Sequence, residues 1–259
     1  MKRLRYLYKY IIHFFLARNT RGFGVHSPFV FKFTNNVLVS KGFYYVFREI
    51  ESIRFDLKHN KRRIDITDFG SGSYKTRKVS DIAKHSLKSP KYGQLLYRIA
   101  NYFNSRSVLE FGTSLGVTTS YLAASSTEIH CTSLEGCPQT ARIAQENFKK
   151  LGLKNIDVVL GNIDDTLSHA LSNITSLDLV FFDANHRSEY VLSYFDQCLS
   201  KVNNNTVMVF DDIYWSSNME MAWNKIKENP LVTSSIDLFE VGIIFFNPDL
   251  HKKHYKMRY

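Results

Sequence analysis

The chain has 259 residues, of which 44% are hydrophobic and 14% are aromatic, and this composition excludes wholesale disorder. The length fits one large domain with a buried core and an N-terminal extension better than it fits two full domains. The net charge of +10 at pH 7 favours anionic partners, although a solvated basic surface is the simpler explanation.

The first 88 residues show no regular alternation of strands and helices. Their pattern predicts two or three helices, at roughly Arg3–Ala17, Pro28–Val39 and Phe43–Phe55, with Ser27 as the N-cap of the second. The apolar run in the first helix is too short to span a bilayer, which needs about 20 residues. This basic, aromatic helix could lie on a membrane surface, but packing on its own domain or on a second subunit is the favoured interpretation.

A glycine-serine loop follows the strand-like segment Ile64–Ile66. The motif Asp68–Ser73 contains Gly70 and Gly72 and is similar to a cofactor-binding turn. The segment after it, Lys75–Leu87, is predicted to be helical, and no second strand with a terminal acid follows before Pro90. The motif therefore indicates a polar loop over an active site or an idle surface turn.

Strands and helices alternate cleanly from Ser107 onwards, which predicts a mostly parallel sheet with right-handed crossovers. Two further strands at the end of the chain are joined by so short a turn that they must be antiparallel. The predicted strands are 107–111, 128–134, 156–160, 177–182, 205–210, 233–239 and 241–247, and the predicted helices are 115–125, 138–151, 164–173, 188–200 and 216–228.

Polar groups follow the first three of these strands. Glu110 precedes a turn that contains Gly112 and Gly116, and a helix follows. A strand, a glycine turn and a helix N-terminus can form a cofactor cradle, because backbone N–H groups approach the ligand there. Glu135 ends the second strand, where a carboxylate can accept both hydroxyls of a ribose. The third strand leads into the segment 161–164.

The fourth and fifth strands end in acids, Asp183 and the pair Asp211 and Asp212. Ligands of open α/β sheets bind at the carboxyl ends of the strands, so we expect the acids to converge on a ligand site there. A carboxylate that caps the following helix is the alternative for any single acid. Hard cations such as Mg²⁺ prefer oxygen ligands, which these side chains supply.

These motifs resemble those of the class I S-adenosylmethionine-dependent methyltransferases, most closely the catechol and caffeoyl-CoA O-methyltransferase type. The resemblance covers about residues 89–247. It implies an α/β, Rossmann-like, seven-stranded and mostly parallel sheet with an antiparallel last strand, helices on both faces and an N-terminal helical extension. The predicted domains are an extension over 1–88, a methyltransferase domain over 89–250 and a basic tail over 251–259.

The resemblance also implies site residues. The methionine part of the cofactor would contact the first turn, the ribose would contact Glu135, and the adenine would contact Asn162 and Ile163. A divalent cation such as Mg²⁺ would bind Asp183, Asp211 and Asp212, although the family has Asn at the last position. The predicted cofactor-binding residues are Glu110, Gly112, Ser114, Gly116, Thr118, Glu135, Asn162, Ile163 and Asp183.

Two residues are predicted to be catalytic, His186 and Asp183. The catechol enzymes place a lysine base three residues after the first metal-binding Asp, and His186 occupies that position here. An imidazole can accept a proton near neutral pH, so His186 or Asp183 is expected to deprotonate the acceptor. A surface histidine that caps the next helix is the alternative for His186.

The predicted activity is therefore O-methylation of a small hydroxylated acceptor with help from a divalent metal. The basic termini favour a second hypothesis, an RNA methyltransferase. A third is a non-catalytic binding or membrane-associated module, and homodimerisation is a further open alternative. The three cysteines, Cys131, Cys137 and Cys198, lack the spacing of a disulfide framework, which predicts a reduced, cytoplasmic protein.

Overall fold

The computed structural model of the protein describes residues 2–68 and 73–259. The chain divides into two compact units, one made of residues 1–40 and 176–259 and the other of residues 41–175. We call them the outer unit and the central unit, after their positions in the chain. Among the described residues, no helix has both the length and the apolar character needed to cross a membrane.

The main sheet has eight strands. They are β3 (Ser107–Phe111), β4 (His130–Glu135), β5 (Ile156–Leu160), β6 (Leu177–Phe182), β7 (Val202–Asp211), β8 (Ser234–Asp237), β9 (Val241–Phe245) and β10 (Lys253–Lys256), in the order β10-β8-β9-β7-β6-β3-β4-β5. β9 is antiparallel to both of its neighbours, β7 and β8. The strands β3, β4 and β5 run parallel, as do β6 with β7 and β8 with β10.

The predicted fold class is confirmed, with one strand more than expected. The additional strand is β10, which lies in the segment predicted to be a basic tail and pairs with β8. In β10, Tyr255 is buried, while Lys253 and His254 are exposed. The predicted domain boundaries at residues 88 and 250 stay a prediction.

The central unit contains α3 (Tyr45–His59), β1 (Arg63–Asp68), β2 (Ser73–Lys78), α4 (Val79–His85), α5 (Pro90–Tyr102), α6 (Val117–Ala123), α7 (Pro138–Lys150) and α8 (Ile163–Ser172), besides β3, β4 and β5. Apolar residues of α3, α4 and α6 form one buried cluster, which includes Phe47, Ile50 and Tyr121. The Tyr121 hydroxyl donates a 2.7 Å hydrogen bond to Glu51. Helices α3 and α4, which precede the main sheet in the chain, are therefore packed in one cluster with α6.

Two expectations for the central unit need correction. Lys75–Leu87 was predicted to be helical throughout, but Ser73–Lys78 is a strand that pairs antiparallel with Arg63–Asp68, and only Val79–His85 is helical. Cross-strand pairing outweighs the helical tendency of the lysines here. The sequence reading also missed α5, although Pro90 at its first turn is a helix-start signal. The predicted Gly70–Gly72 loop lies outside the described residues.

The outer unit contains α1 (Lys2–Leu16), α2 (Pro28–Phe33), α9 (Ser188–Cys198) and α10 (Ser217–Glu228), with short 3₁₀ and π segments between them. The Ser27 hydroxyl accepts a hydrogen bond from Val30 N at 3.3 Å, as the predicted N-cap should. A π-helical stretch continues α2 from Thr34 to Leu38. The strands β6 to β10 complete the unit, whose buried residues include Phe210, Trp223 and Phe245.

Candidate functional site

The turn after β3 has the backbone that the glycine motif requires. Gly112, Ser114 and Gly116 have φ angles of 97°, 50° and 78°, in the left-handed region that favours glycine. A Cβ atom on Gly116 would lie 2.6 Å from the ring of Phe148. This turn is therefore held tightly against α7, immediately before the N-terminus of α6.

Glu135 fastens the end of β4 to that turn. Its Oε2 accepts a 2.6 Å hydrogen bond from Ser114 N, and its Oε1 accepts a 2.8 Å hydrogen bond from Cys137 N. Burial raises the pKa of Glu135, while these backbone donors act in the opposite direction. The acid predicted to bind ribose thus adjoins the turn predicted to bind the methionine part of the cofactor.

The loop after β5 joins the same arrangement. Gly161 N donates a 2.9 Å hydrogen bond to the carbonyl oxygen of Glu135, and Asn162 is the N-cap of α8, with its side chain accepting from Asp164 N. Ile163 is the first residue of that helix. The loops that follow β3, β4 and β5 are therefore connected at the carboxyl ends of three parallel strands, where ligands of this fold class bind.

Glu110 lies within this framework and is completely buried. Its Oε2 accepts hydrogen bonds from the hydroxyls of Thr119 and Ser133, and its Oε1 has no hydrogen-bond partner among the described residues. Burial raises the pKa of Glu110 to about 7, against the lowering effect of the two hydroxyls. Thr118, on the first turn of α6, is also buried. The contacts of both residues with a cofactor stay predictions.

The outer unit carries a second cluster at the ends of β6 and β7. Asp183, His186 and Asp211 each offer a ligand atom, and these atoms all lie within 4.8 Å of one another. His186 Nε2 lies 3.8 Å from Asp183 Oδ1 and 4.0 Å from Asp212 Oδ2. Asp211 is buried, and Asp212 has a φ of 54°, which turns the chain out of the strand.

This spacing suits a divalent cation. Ligand oxygens lie about 2 to 2.6 Å from Mg²⁺ or Ca²⁺, so two ligands of one ion are separated by less than about 5 Å. The sequence reading placed the three aspartates around a metal and gave His186 the role of base. In the structure the imidazole lies among the carboxylates, so His186 is also a candidate ligand. The i,i+3 spacing of Asp183 and His186 is the sequence signal for that proximity.

Comparison with known proteins bears on the central part of the chain. Residues 109–213 match a family model described as a methyltransferase domain. Catechol O-methyltransferase from Mycobacterium tuberculosis is 29% identical over 127 residues, which are 48% of this chain and 56% of that protein. The chain therefore matches little more than half the length of this curated relative.

Solved structures share the fold. The O-methyltransferase TomG from Streptomyces achromogenes, in complex with S-adenosylmethionine, has a TM-score of 0.55 and 18% identity, over 62% of this chain and 82% of that one. A candidate caffeoyl-CoA O-methyltransferase from Staphylococcus aureus has a TM-score of 0.57 and 15% identity, over 64% and 88%. The family resemblance inferred from the motifs is thus confirmed.

Proposed function

We propose that this chain is a class I S-adenosylmethionine-dependent methyltransferase that methylates an oxygen of a small hydroxylated acceptor with help from a divalent metal. The observation that carries the proposal is the linkage of three strand-end loops through Glu135, within the matched residues 109–213. The curated relative is a catechol O-methyltransferase, which supports oxygen as the acceptor atom.

The central unit supplies the groups for cofactor binding. The carboxylate of Glu135 can accept from ribose hydroxyls through lone pairs that the backbone N–H groups leave available. The left-handed backbone at Gly112 and Gly116 forms the turn whose N–H groups are proposed to approach the cofactor. Asn162 and Ile163 begin α8 and are the proposed adenine contacts. S-adenosylmethionine would supply an electrophilic methyl group on a positively charged sulfur.

The outer unit supplies the groups for acceptor activation. The carboxylates of Asp183, Asp211 and Asp212 are the proposed ligands of a divalent cation, and the imidazole of His186 lies beside them. Such a cation lowers the pKa of a bound hydroxyl and fixes its position. A hydroxyl is a poor nucleophile until its proton is lost, and His186 and Asp183 are the proposed acceptors of that proton.

A calorimetric titration with S-adenosylhomocysteine tests the cofactor site. We expect wild-type protein to bind, and Glu135→Gln to bind about tenfold more weakly or worse, because a charge-assisted hydrogen bond to ribose is lost. Glu146→Gln is the matched control, since Glu146 is exposed on α7. If wild-type protein bound neither S-adenosylmethionine nor its product, the non-catalytic alternative would replace the proposal.

A second experiment addresses the metal. The double variant Asp211→Asn, Asp212→Asn removes two charges from the cluster, so we expect Mn²⁺ affinity, measured by electron paramagnetic resonance, to fall at least about a hundredfold. Asp196→Asn, on the exposed side of α9, should leave Mn²⁺ binding unchanged. Full methyl transfer by the double variant in the presence of a chelator would remove the metal from the proposal while leaving the cofactor site in place.

A further inference from the structure

Two basic side chains of the first helix form ion pairs with the rest of the outer unit. Arg5 Nη2 lies 2.6 Å and Lys9 Nζ lies 2.7 Å from the carboxylate of Glu220 on α10. One further turn along, His13 is buried and its Nε2 lies 3.0 Å from Asp237 Oδ1. These contacts fix which face of α1 is turned inward.

The opposite face of α1 is apolar and exposed. It consists of six side chains spaced three and four residues apart, which places them on one side of a helix. In a water-exposed surface helix the apolar side normally faces the core and the charged side faces water, so α1 shows the reverse arrangement. The exposed side chains, with their relative accessibility, are Leu4 76%, Leu7 55%, Tyr8 62%, Ile11 47%, Phe14 42% and Phe15 75%.

Positive charge lies beside the C-terminal end of this apolar face. Residues 1–40 contain seven lysines and arginines and no aspartate or glutamate, and residues 251–259 contain four and none. The two segments are joined, because Arg258 N donates a 3.0 Å hydrogen bond to Thr20 Oγ1. The Arg258 guanidinium also lies 4.6 Å from the centre of the Phe14 ring. Exposed Arg18 and Arg21 follow the C-terminal end of the helix.

We infer that the exposed face of α1 binds the surface of a membrane that contains anionic lipids. An apolar stripe about 18 Å long, with arginines at its C-terminal end, is the surface expected of a helix that lies in the plane of a bilayer interface. The acyl region covers the apolar side chains, and the anionic headgroups attract the cations around them. The inward ion pairs to Glu220 and Asp237 hold the helix on the protein with this face outward.

A second copy of the chain fits this surface less well. A two-fold dimer would place the same face against itself, so the cations around the two stripes would repel one another. The segment that forms the surface contains no acid of its own to pair with them. An anionic lipid surface supplies the complementary charge.

Flotation with lipid vesicles tests the inference. The full chain should float with phosphatidylcholine vesicles that contain phosphatidylglycerol, and poorly with phosphatidylcholine alone. The variant Leu7→Glu, Ile11→Glu should partition to these vesicles about a hundredfold less, because two apolar side chains of the membrane-binding face become anionic. The control Phe55→Glu, Leu231→Glu makes the same charge change at two exposed apolar side chains outside α1 and should float like wild type.

A second variant tests the electrostatic contribution to vesicle binding separately. Arg18→Gln, Arg21→Gln leaves the apolar stripe intact and should reduce partitioning to anionic vesicles by about tenfold. Unchanged circular dichroism and an unchanged unfolding temperature would show that each variant folds. The inference is wrong if wild type does not float with anionic vesicles, or if Leu7→Glu, Ile11→Glu floats as well as its control. A dimer that light scattering detects in wild type and not in Leu7→Glu, Ile11→Glu, with no vesicle binding by wild type, would assign the face to a second copy of the chain instead.

Discussion

Glu110 and Glu135 both belong to the region where β3 and β4 end, but their surroundings differ. Glu135 receives backbone N–H groups on both carboxylate oxygens, and such donors favour the ionised form. Glu110 receives only two neutral hydroxyls on one oxygen and is completely removed from water. Burial raises the pKa of both carboxyls, and at Glu135 the backbone donors oppose that rise.

The pKa of Glu110 predicts a pH dependence of stability. Burial raises this pKa from 4.5 to about 7, so the native state retains a proton that the unfolded chain has lost between these two values. The stabilisation of the native state by protonated Glu110 is fully present below pH 4.5. It is lost as the pH rises towards 7, and the total loss is about 3 kcal/mol. Urea denaturation of wild type at a series of pH values measures it.

Glu110→Gln provides the comparison for that experiment. The amide keeps an oxygen for the hydroxyls of Thr119 and Ser133 but does not titrate, so the variant should lack this part of the pH dependence. The difference in unfolding free energy between variant and wild type should therefore increase in favour of the variant from about pH 5 to about pH 7. Parallel profiles would mean that Glu110 does not titrate in this range.

At the scale of elements, the turn between β3 and α6 depends on Gly116. Replacing it with alanine should destabilise the protein by about 2 to 4 kcal/mol, because the left-handed φ penalises a side chain and the new Cβ would overlap the ring of Phe148. Gly152→Ala is a matched control, since its φ is also positive, at 69°, but no atom lies within 4 Å of the added Cβ. Its cost should be only about 1 kcal/mol.

Chemical denaturation of the two variants separates the backbone cost from the packing cost. The variant at Gly116 should also bind S-adenosylhomocysteine more weakly, because a turn displaced from α7 no longer holds Ser114 N against Glu135. Equal destabilisation by the two substitutions would contradict the tight packing seen at Gly116.

The elements from Ser107 to Phe245 could be predicted to within a few residues, whereas β10 was missed. Buried parallel strands read as short apolar runs, and the acid or glycine that ends each run marks the edge where the ligand site lies. The strands 107–111, 156–160 and 177–182 were predicted with the bounds that the structure shows. The helix over 138–151 was also signalled from both ends, by Pro138 and Gly152.

The secondary structure of the first hundred residues was harder to predict, because its strands are not apolar runs that end in an acid or a glycine. The strand Ser73–Lys78 is polar and charged, and only its pairing with Arg63–Asp68 reveals it. The inward-facing charges of α1 were equally hidden, since Glu220 and Asp237 are more than two hundred residues away in the chain. In the metal cluster, the aspartates could be read from strand ends, but the distance of His186 from Asp212 required coordinates.

For the whole molecule, the net charge of +10 bears on the choice between a small acceptor and RNA. In the outer unit, residues 1–40 and 251–259 carry much of this charge together with an apolar face that we assign to a lipid surface. A further basic cluster, Lys58–Arg63, lies in the central unit, from the end of α3 to the start of β1. The charge therefore has an explanation that does not require a nucleic-acid substrate, and salt dependence can distinguish the two.

We expect methylation of a small catechol-like acceptor to change by less than about twofold between about 50 and 200 mM salt, because few ion pairs form with an uncharged substrate. The measurement is kcat/KM with labelled cofactor in the absence of vesicles, since lipid binding has a salt dependence of its own. A methyltransferase that contacted six phosphates of single-stranded RNA would instead lose affinity with a log–log slope of about −4. Methylation of RNA with such a slope, and none of the small acceptor, would reassign the substrate while leaving the cofactor site at Glu135 unchanged.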